Sequence, residues 1–157
     1  MRIIPAVLAL AAALGGVASA EENLPPRRKP ALLAWLQAGA YRLDYVPEPA
    51  VHPSAGPHGA GVLTWYGPIL VDDLRAARTR FTKGAAIVKE LYDADGALVG
   101  WAAMRKVRRR SGSTGRGWLF YETFDLVHGA GYYGRGHPTC AGCHRQGVDY
   151  LRSTFRP

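Results

Sequence analysis

Cysteine and methionine are both scarce, with two of each in 157 residues. Two cysteines cannot build the multi-bridge framework that holds many small secreted domains together, so the fold must rest on a hydrophobic core. Carboxylates are also few: 12 Asp and Glu stand against 20 Lys and Arg, a formal net charge of +8. After residue 20 no apolar run approaches the ~18 residues needed to span a membrane, and there is no internal repeat or long low-complexity tract. What is present is sufficient for a core. Hydrophobic residues make up 48% and aromatics 10%, too many for a disordered chain and suited to one globular domain of this length.

The first twenty residues stand apart. Met1 and Arg2 give a short positive start, Ile3 to Val17 are almost wholly apolar, and Ala18-Ser19-Ala20 supplies a small-x-small cleavage site before Glu21. That is the layout of a secretory signal peptide, with an apolar stretch too short and wrongly flanked for a spanning helix. Cleavage removes a single charge, Arg2, so the expected product is a periplasmic, soluble and still strongly basic chain. Export excludes nucleic acid as the reason for the basic charge. Steering of an acidic redox partner, or attraction to anionic headgroups, takes its place.

Residues 21–46 read as a flexible, Pro-rich leader followed by a helix through Leu32, Leu33, Trp35 and Leu36, ended near Gly39. Residues 47–157 read as a β-rich domain, so the expected class is mainly β (α+β). Pro47 to Gly61 is loop, and Val62 to Tyr66 is a strand. A short helix is expected from Asp72-Asp73 to Arg80. Then comes an antiparallel meander: Ala85 to Tyr92, a turn at Asp93–Gly96, a return strand over Leu98 to Val107, and a third strand from Trp118 to Leu126. The basic stretch Arg108 to Gly117 reads as a solvated hairpin loop.

Chemistry concentrates at Cys140-Ala141-Gly142-Cys143-His144, a Cys-x-x-Cys-His with the spacing of c-type haem attachment. Two thiols form thioethers to the haem vinyl groups, and the adjacent histidine is then held beneath the iron as an axial ligand. A dithiol redox pair, a zinc half-site and a structural disulfide are the competing readings. A redox pair belongs after an early strand, and a zinc site needs further ligands at suitable spacing. Only thirteen residues follow the motif and none is methionine, so the usual all-helical cytochrome c arrangement is excluded.

Three segments carry a family resemblance over residues 60–157. Phe81 to Tyr92 (FTKGAAIVKELY) resembles the G-x-x-x-V-K-E strand of the cytochrome c′-beta and P-460 cytochrome family. Gly117 to Glu122 (GWLFYE) is similar to its W-x-F-Y strand, and Cys140 to His144 followed by Val148-Asp149-Tyr150 is similar to its C-terminal ending. The resemblance implies an antiparallel β fold, one covalently bound haem c, His144 as axial ligand and usually a homodimer. Family members bind small diatomic gases such as NO or CO at a five-coordinate iron or, in the P-460 branch, oxidise hydroxylamine.

The resemblance also sets expectations around the iron. In the hydroxylamine-oxidising branch a lysine of the V-K-E strand is cross-linked to the haem, and Lys89 holds that position; a propionate salt bridge or an ordinary edge-of-core lysine is the plainer alternative. That branch also places a distal glutamate on the following strand, where this chain offers Trp101 or Ala102, neither of them a carboxylate. The expectation is therefore an apolar distal wall, drawn from Trp65, Trp101, Phe120 and Phe124, that admits NO or a similar nitrogen-oxide ligand, with electron transfer at the same haem. Met104, His52, His58, His128 or His137 would close the sixth position if the iron is six-coordinate.

Overall fold

The computed structural model describes residues 23–54 and 56–157, so the expected signal peptide, residues 1–20, lies outside the described residues. Among the described residues are seven strands in one antiparallel sheet: β1 Val46–Pro47, β2 His52–Pro53, β3 Gly61–Tyr66, β4 Ala86–Tyr92, β5 Leu98–Lys106, β6 Trp118–Thr123 and β7 Gly131–Arg135. The strand order is β1-β3-β4-β5-β6-β7, with β2 also paired to β3. β1 meets the end of β3 (Val46 opposite Tyr66) and β2 meets its start (His52 opposite Val62), so together they form one interrupted edge strand. Pro47 and Pro53 are tolerated there because an edge strand has donors to spare. Three short α-helices accompany the sheet among the described residues: α1 Lys29–Gln37, α2 Pro68–Arg75 and α3 Pro138–His144. The chain is mainly β with a few helices, and the antiparallel meander follows the expected strands.

Alternation along the strands sorts the sheet into two faces, each with its own cover. Val88, Trp101, Ala103 and Tyr121 pack beneath Leu32 and Leu36 of α1 and beneath Tyr41 and Tyr45, which follow it. On the opposite face Ile87, Met104, Trp118 and Phe120 meet Leu70 and Val71 of α2 together with Ala141 and Leu151 from the C-terminal segment. Covering both faces leaves almost no water-exposed side on β4 to β6, which is why those stretches are so apolar.

Glu90 is the exception on the helix-covered face, at 1% exposure. Its carboxylate accepts from Tyr41 Oη at 2.5 Å, Tyr92 Oη at 2.8 Å and Arg42 Nε at 2.8 Å. Burial pushes its pKa up, but the hydrogen bonds from Tyr41, Arg42 and Tyr92 outweigh burial and hold it below the ordinary glutamate range. One carboxylate thus ties the segment after α1 to the middle of the sheet.

Several elements differ from expectation for physical reasons. α2 begins at Pro68 behind Gly67, because proline suits the first helical position, and it ends at Arg75. Asp72 and Asp73 therefore fall in its second turn, and Asp73 instead accepts from Thr82 N and Thr82 Oγ1 at 2.6 and 2.8 Å. β6 stops at Thr123 because Asp125 organises a turn, accepting from the backbone N–H groups of Val127, His128 and Ala130. β7 and α3 were not expected at all. The leader is pinned where it is described: Leu24 is buried, and the Pro25 carbonyl accepts from Arg105 Nη1 at 2.9 Å.

Replacing Glu90 by alanine leaves three donors without their shared acceptor and is expected to lower stability by about 2–4 kcal/mol. Arg42→Ala, at a half-exposed partner, should cost under about 1 kcal/mol. The Glu90 contribution is present above the ordinary carboxylate pKa and fades as pH falls through the lowered folded-state value. Urea unfolding of both variants across that range checks the ordering; equal losses would contradict it.

Candidate functional site

Register brings one row of residues to a single face. Lys89 on β4 lies opposite Ala102 on β5, Ala102 opposite Glu122 on β6, and Glu122 opposite Tyr132 on β7. Directly opposed residues share a face, and all four line a cavity of about 310 Å³. The opposite wall comes from the C-terminal segment: Cys140, Cys143, His144, Leu151 and Arg152. A second cavity of similar volume adjoins it, sharing Lys89, His58, Cys143, His144 and Arg152, and reaches toward Glu48 and Tyr66.

α3 sets the cysteines and the histidine. Pro138 begins the helix, and spacings of three and four residues place Cys140, Cys143 and His144 along one side of it. Both thiols are free and half-buried. His144 Nδ1 lies 3.0 Å from the Tyr150 carbonyl. A carbonyl only accepts, so Nδ1 carries the proton and Nε2 keeps its lone pair. Burial pushes the imidazole pKa down from 6.5 to about 4, leaving the ring neutral near pH 7. This is the state in which histidine binds a metal, with its other nitrogen oriented by a hydrogen bond.

The Tyr150 carbonyl is held in place by an unusual backbone. Asp149 and Tyr150 both have positive φ, +46° and +71°, a conformation that non-glycine residues adopt only when their surroundings enforce it. Asp149 supplies the enforcement. Its carboxylate accepts from Lys106 Nζ at 2.5 Å, Ser111 Oγ at 2.5 Å and Phe81 N at 2.9 Å, and its carbonyl accepts from Trp118 Nε1 at 2.7 Å. Lys106 is 0% exposed and lies 4.9 Å from the centre of the Trp118 ring. The loop read as solvated contributes too: Ser111 is buried, and a Cβ on Gly115 would stand 2.9 Å from the Tyr150 ring. Arg108, Arg109 and Arg110 are exposed, as expected.

Lys89 lines both cavities, and its ammonium makes no hydrogen bond or ion pair among the described residues. Burial pulls its pKa down despite attraction from Glu48 and Glu122. Glu122 is itself buried, and one of its oxygens accepts from His58 Nδ1 at 2.9 Å. Across the gap the His58 ring meets the His144 ring edge-on, with centres 6.2 Å apart.

The expected apolar wall is therefore only half correct. Phe120 and Phe124 line the cavity, and so does Met104, expected only as a candidate sixth ligand. Trp65 and Trp101 belong to the cluster under α1, because they alternate with the cavity-facing positions on their strands. A carboxylate does line the cavity one strand over: Glu122, opposite Ala102. Its signal in the sequence was a lone acid alternating with Trp118 and Phe120. Of the other histidines, His52 borders the second cavity and pairs with Glu48 at 3.1 Å, and exposed His128 sits beside Asp125. His137 precedes α3, with Nδ1 4.0 Å from Cys140 Sγ.

The alternative chemistries of the motif fit less well. Burial, with Glu122 nearby, pushes the Cys140 thiol up to about 11, the opposite of the activated thiol in a dithiol redox pair. Among the described residues no three His, Cys, Asp or Glu side chains converge as a metal-holding group, as a zinc site would require. No protein-family model matches the chain, and no curated protein matches it either.

Asp149→Ala leaves Lys106 buried without its counter-charge and is expected to cost about 3–5 kcal/mol. Adding Lys106→Met removes the stranded cation, so the double variant should be more stable than Asp149→Ala alone. Urea unfolding of the four members of this cycle measures the coupling; strict additivity would contradict the buried pair.

Proposed function

We propose that this chain is an exported monohaem c-type cytochrome, with the haem joined through Cys140 and Cys143 and its iron held by His144. One observation carries this reading: both sulfurs and a neutral, Nδ1-anchored histidine open into a single cavity. The remaining lining suits the group. Ile87, Met104, Phe120 and Leu151 offer apolar surface for a macrocycle, and Lys89 and Arg152 are cations in the same lining that would partner its carboxylate side arms. When bound, the haem supplies one-electron chemistry and an iron that takes small ligands.

The activity proposed is binding and redox turnover of a small nitrogen-oxide ligand such as NO in the periplasm, with the chain's positive charge steering an acidic redox partner. A homodimer is part of the same reading. The described residues contain no helix long and apolar enough to cross a membrane.

Glu122 and Lys89 favour a second reading, oxidation of hydroxylamine or a related compound. That chemistry releases protons, and Glu122 paired with His58 forms a carboxylate–imidazole unit able to take them up. Lys89, desolvated and without a hydrogen-bonding partner among the described residues, is the amine available for a link to the haem.

Expressed in a host that attaches haem c, the protein should be coloured and keep its haem stain on a denaturing gel, and the Cys140→Ala/Cys143→Ala variant should lose it. A colourless wild-type protein overturns the proposal. Tryptic mapping decides the second reading, which requires the peptide containing Lys89 to be missing at its unmodified mass.

A further inference from the structure

His58 and His144 form a matched pair. Each ring gives its Nδ1 proton to an oxygen acceptor, the Glu122 carboxylate at 2.9 Å and the Tyr150 carbonyl at 3.0 Å. In each ring Nδ1 is thus taken by its acceptor, and Nε2 is the nitrogen left to meet a metal. The two rings meet edge-on, with centres 6.2 Å apart and planes inclined at 65°. A metal–nitrogen bond is about 2 Å, and a ring nitrogen lies roughly 1.1 Å from its ring centre, so two imidazoles on opposite sides of one metal have centres about 6 Å apart. The observed separation is the one that a shared iron would impose.

The surroundings agree with such a sandwich. Both histidines line both cavities, so open space extends from the pair in two directions, as a planar group between the rings would require. His58 is also set by its backbone. It sits between Pro57 and Gly59, and Gly59 has φ +84°, where a Cβ would stand only 3.0 Å from the Tyr92 carbonyl. Glu122 then fixes the ring from the sheet. A histidine whose distal nitrogen is tied to a carboxylate is a common way to orient a metal ligand. His58 stands on the loop between β2 and β3 rather than on a strand, so it can leave without unmaking the sheet.

We infer that His58 is the second axial ligand of the iron in the resting protein, bonded through Nε2, and that a small ligand entering the site must displace it. The inference rests on the haem reading above. It makes Glu122 an orienting partner in the resting state and a free His58–Glu122 unit once His58 has left.

The test uses the full chain with covalently attached haem, as wild type, His58→Ala and His128→Ala, the last altering an exposed turn away from the site. Optical and electron paramagnetic resonance spectra of the wild type should show low-spin, six-coordinate iron. His58→Ala should be high-spin and revert to low-spin on adding imidazole, while His128→Ala should match the wild type. With ferrous protein, the rate of CO binding should level off as CO rises in the wild type, limited by loss of His58. In His58→Ala it should rise in proportion and be at least tenfold faster at the highest CO. Should His58→Ala fail to accumulate, His58→Met serves in its place and must give a low-spin spectrum distinct from the wild type. A wild-type protein that stains for covalent haem yet is high-spin overturns the inference alone. A wild type that carries no covalent haem overturns the haem reading and the inference together.

Discussion

Lys106 carries its ammonium into a site with no exposure to water, and a charge so placed requires a counter-charge with hydrogen bonds around it. Asp149 meets that requirement, and in doing so it fastens the end of the chain to the sheet. The same residue gathers Ser111 from the β5–β6 loop, Phe81 from the segment before β4 and Trp118 from β6. Four separate stretches of sequence thus converge on one residue, three on its carboxylate and Trp118 on its backbone carbonyl. The next residue, Tyr150, presents the carbonyl that orients His144. Precision at the imidazole is inherited from a salt bridge that never touches it.

The two faces of the sheet use their buried carboxylates differently. Glu90 is saturated by two tyrosines and an arginine and serves as a structural knot. Glu122, two strands away, has a histidine as its partner and faces a cavity. Lys89 lines the same space, and no hydrogen-bond acceptor among the described residues meets its ammonium. Groups left this incompletely matched are costly in a folded core and are commonly kept for binding or chemistry. The apolar strips beside them, from Ile87 to Phe120, give the cavity a surface on which a flat hydrophobic group can rest.

Much of this was legible in the sequence because it is encoded locally. Cys140, Cys143 and His144 are neighbours in the chain, so their meeting at one cavity follows from the spacing alone. The central strands announce themselves through apolar runs and the Asp-Gly turn. Other features depend on partners far away in sequence. His58 meets Glu122 across 64 positions, and no local pattern joins them. Trp101 and Ala102 are a single residue apart, which in a strand is enough to reverse the side, and only the register shows that Ala102 faces the cavity. β7 leaves no pattern in the sequence, because Gly131-Tyr132-Tyr133-Gly134-Arg135 lies at a half-exposed edge, where burial imposes no strong alternation. Lys106 lies within the expected return strand, and nothing in its sequence neighbours marks the packed loops that bury it.

The central claim is that a haem is bonded to the two sulfurs of α3. The most direct measurement is the intact mass of the exported protein under denaturing conditions, after production in a host with a cytochrome c maturation system. The account predicts a chain heavier by one haem, with neither thiol open to alkylation. A chain at its bare polypeptide mass, with both thiols reactive or joined to each other, would contradict it.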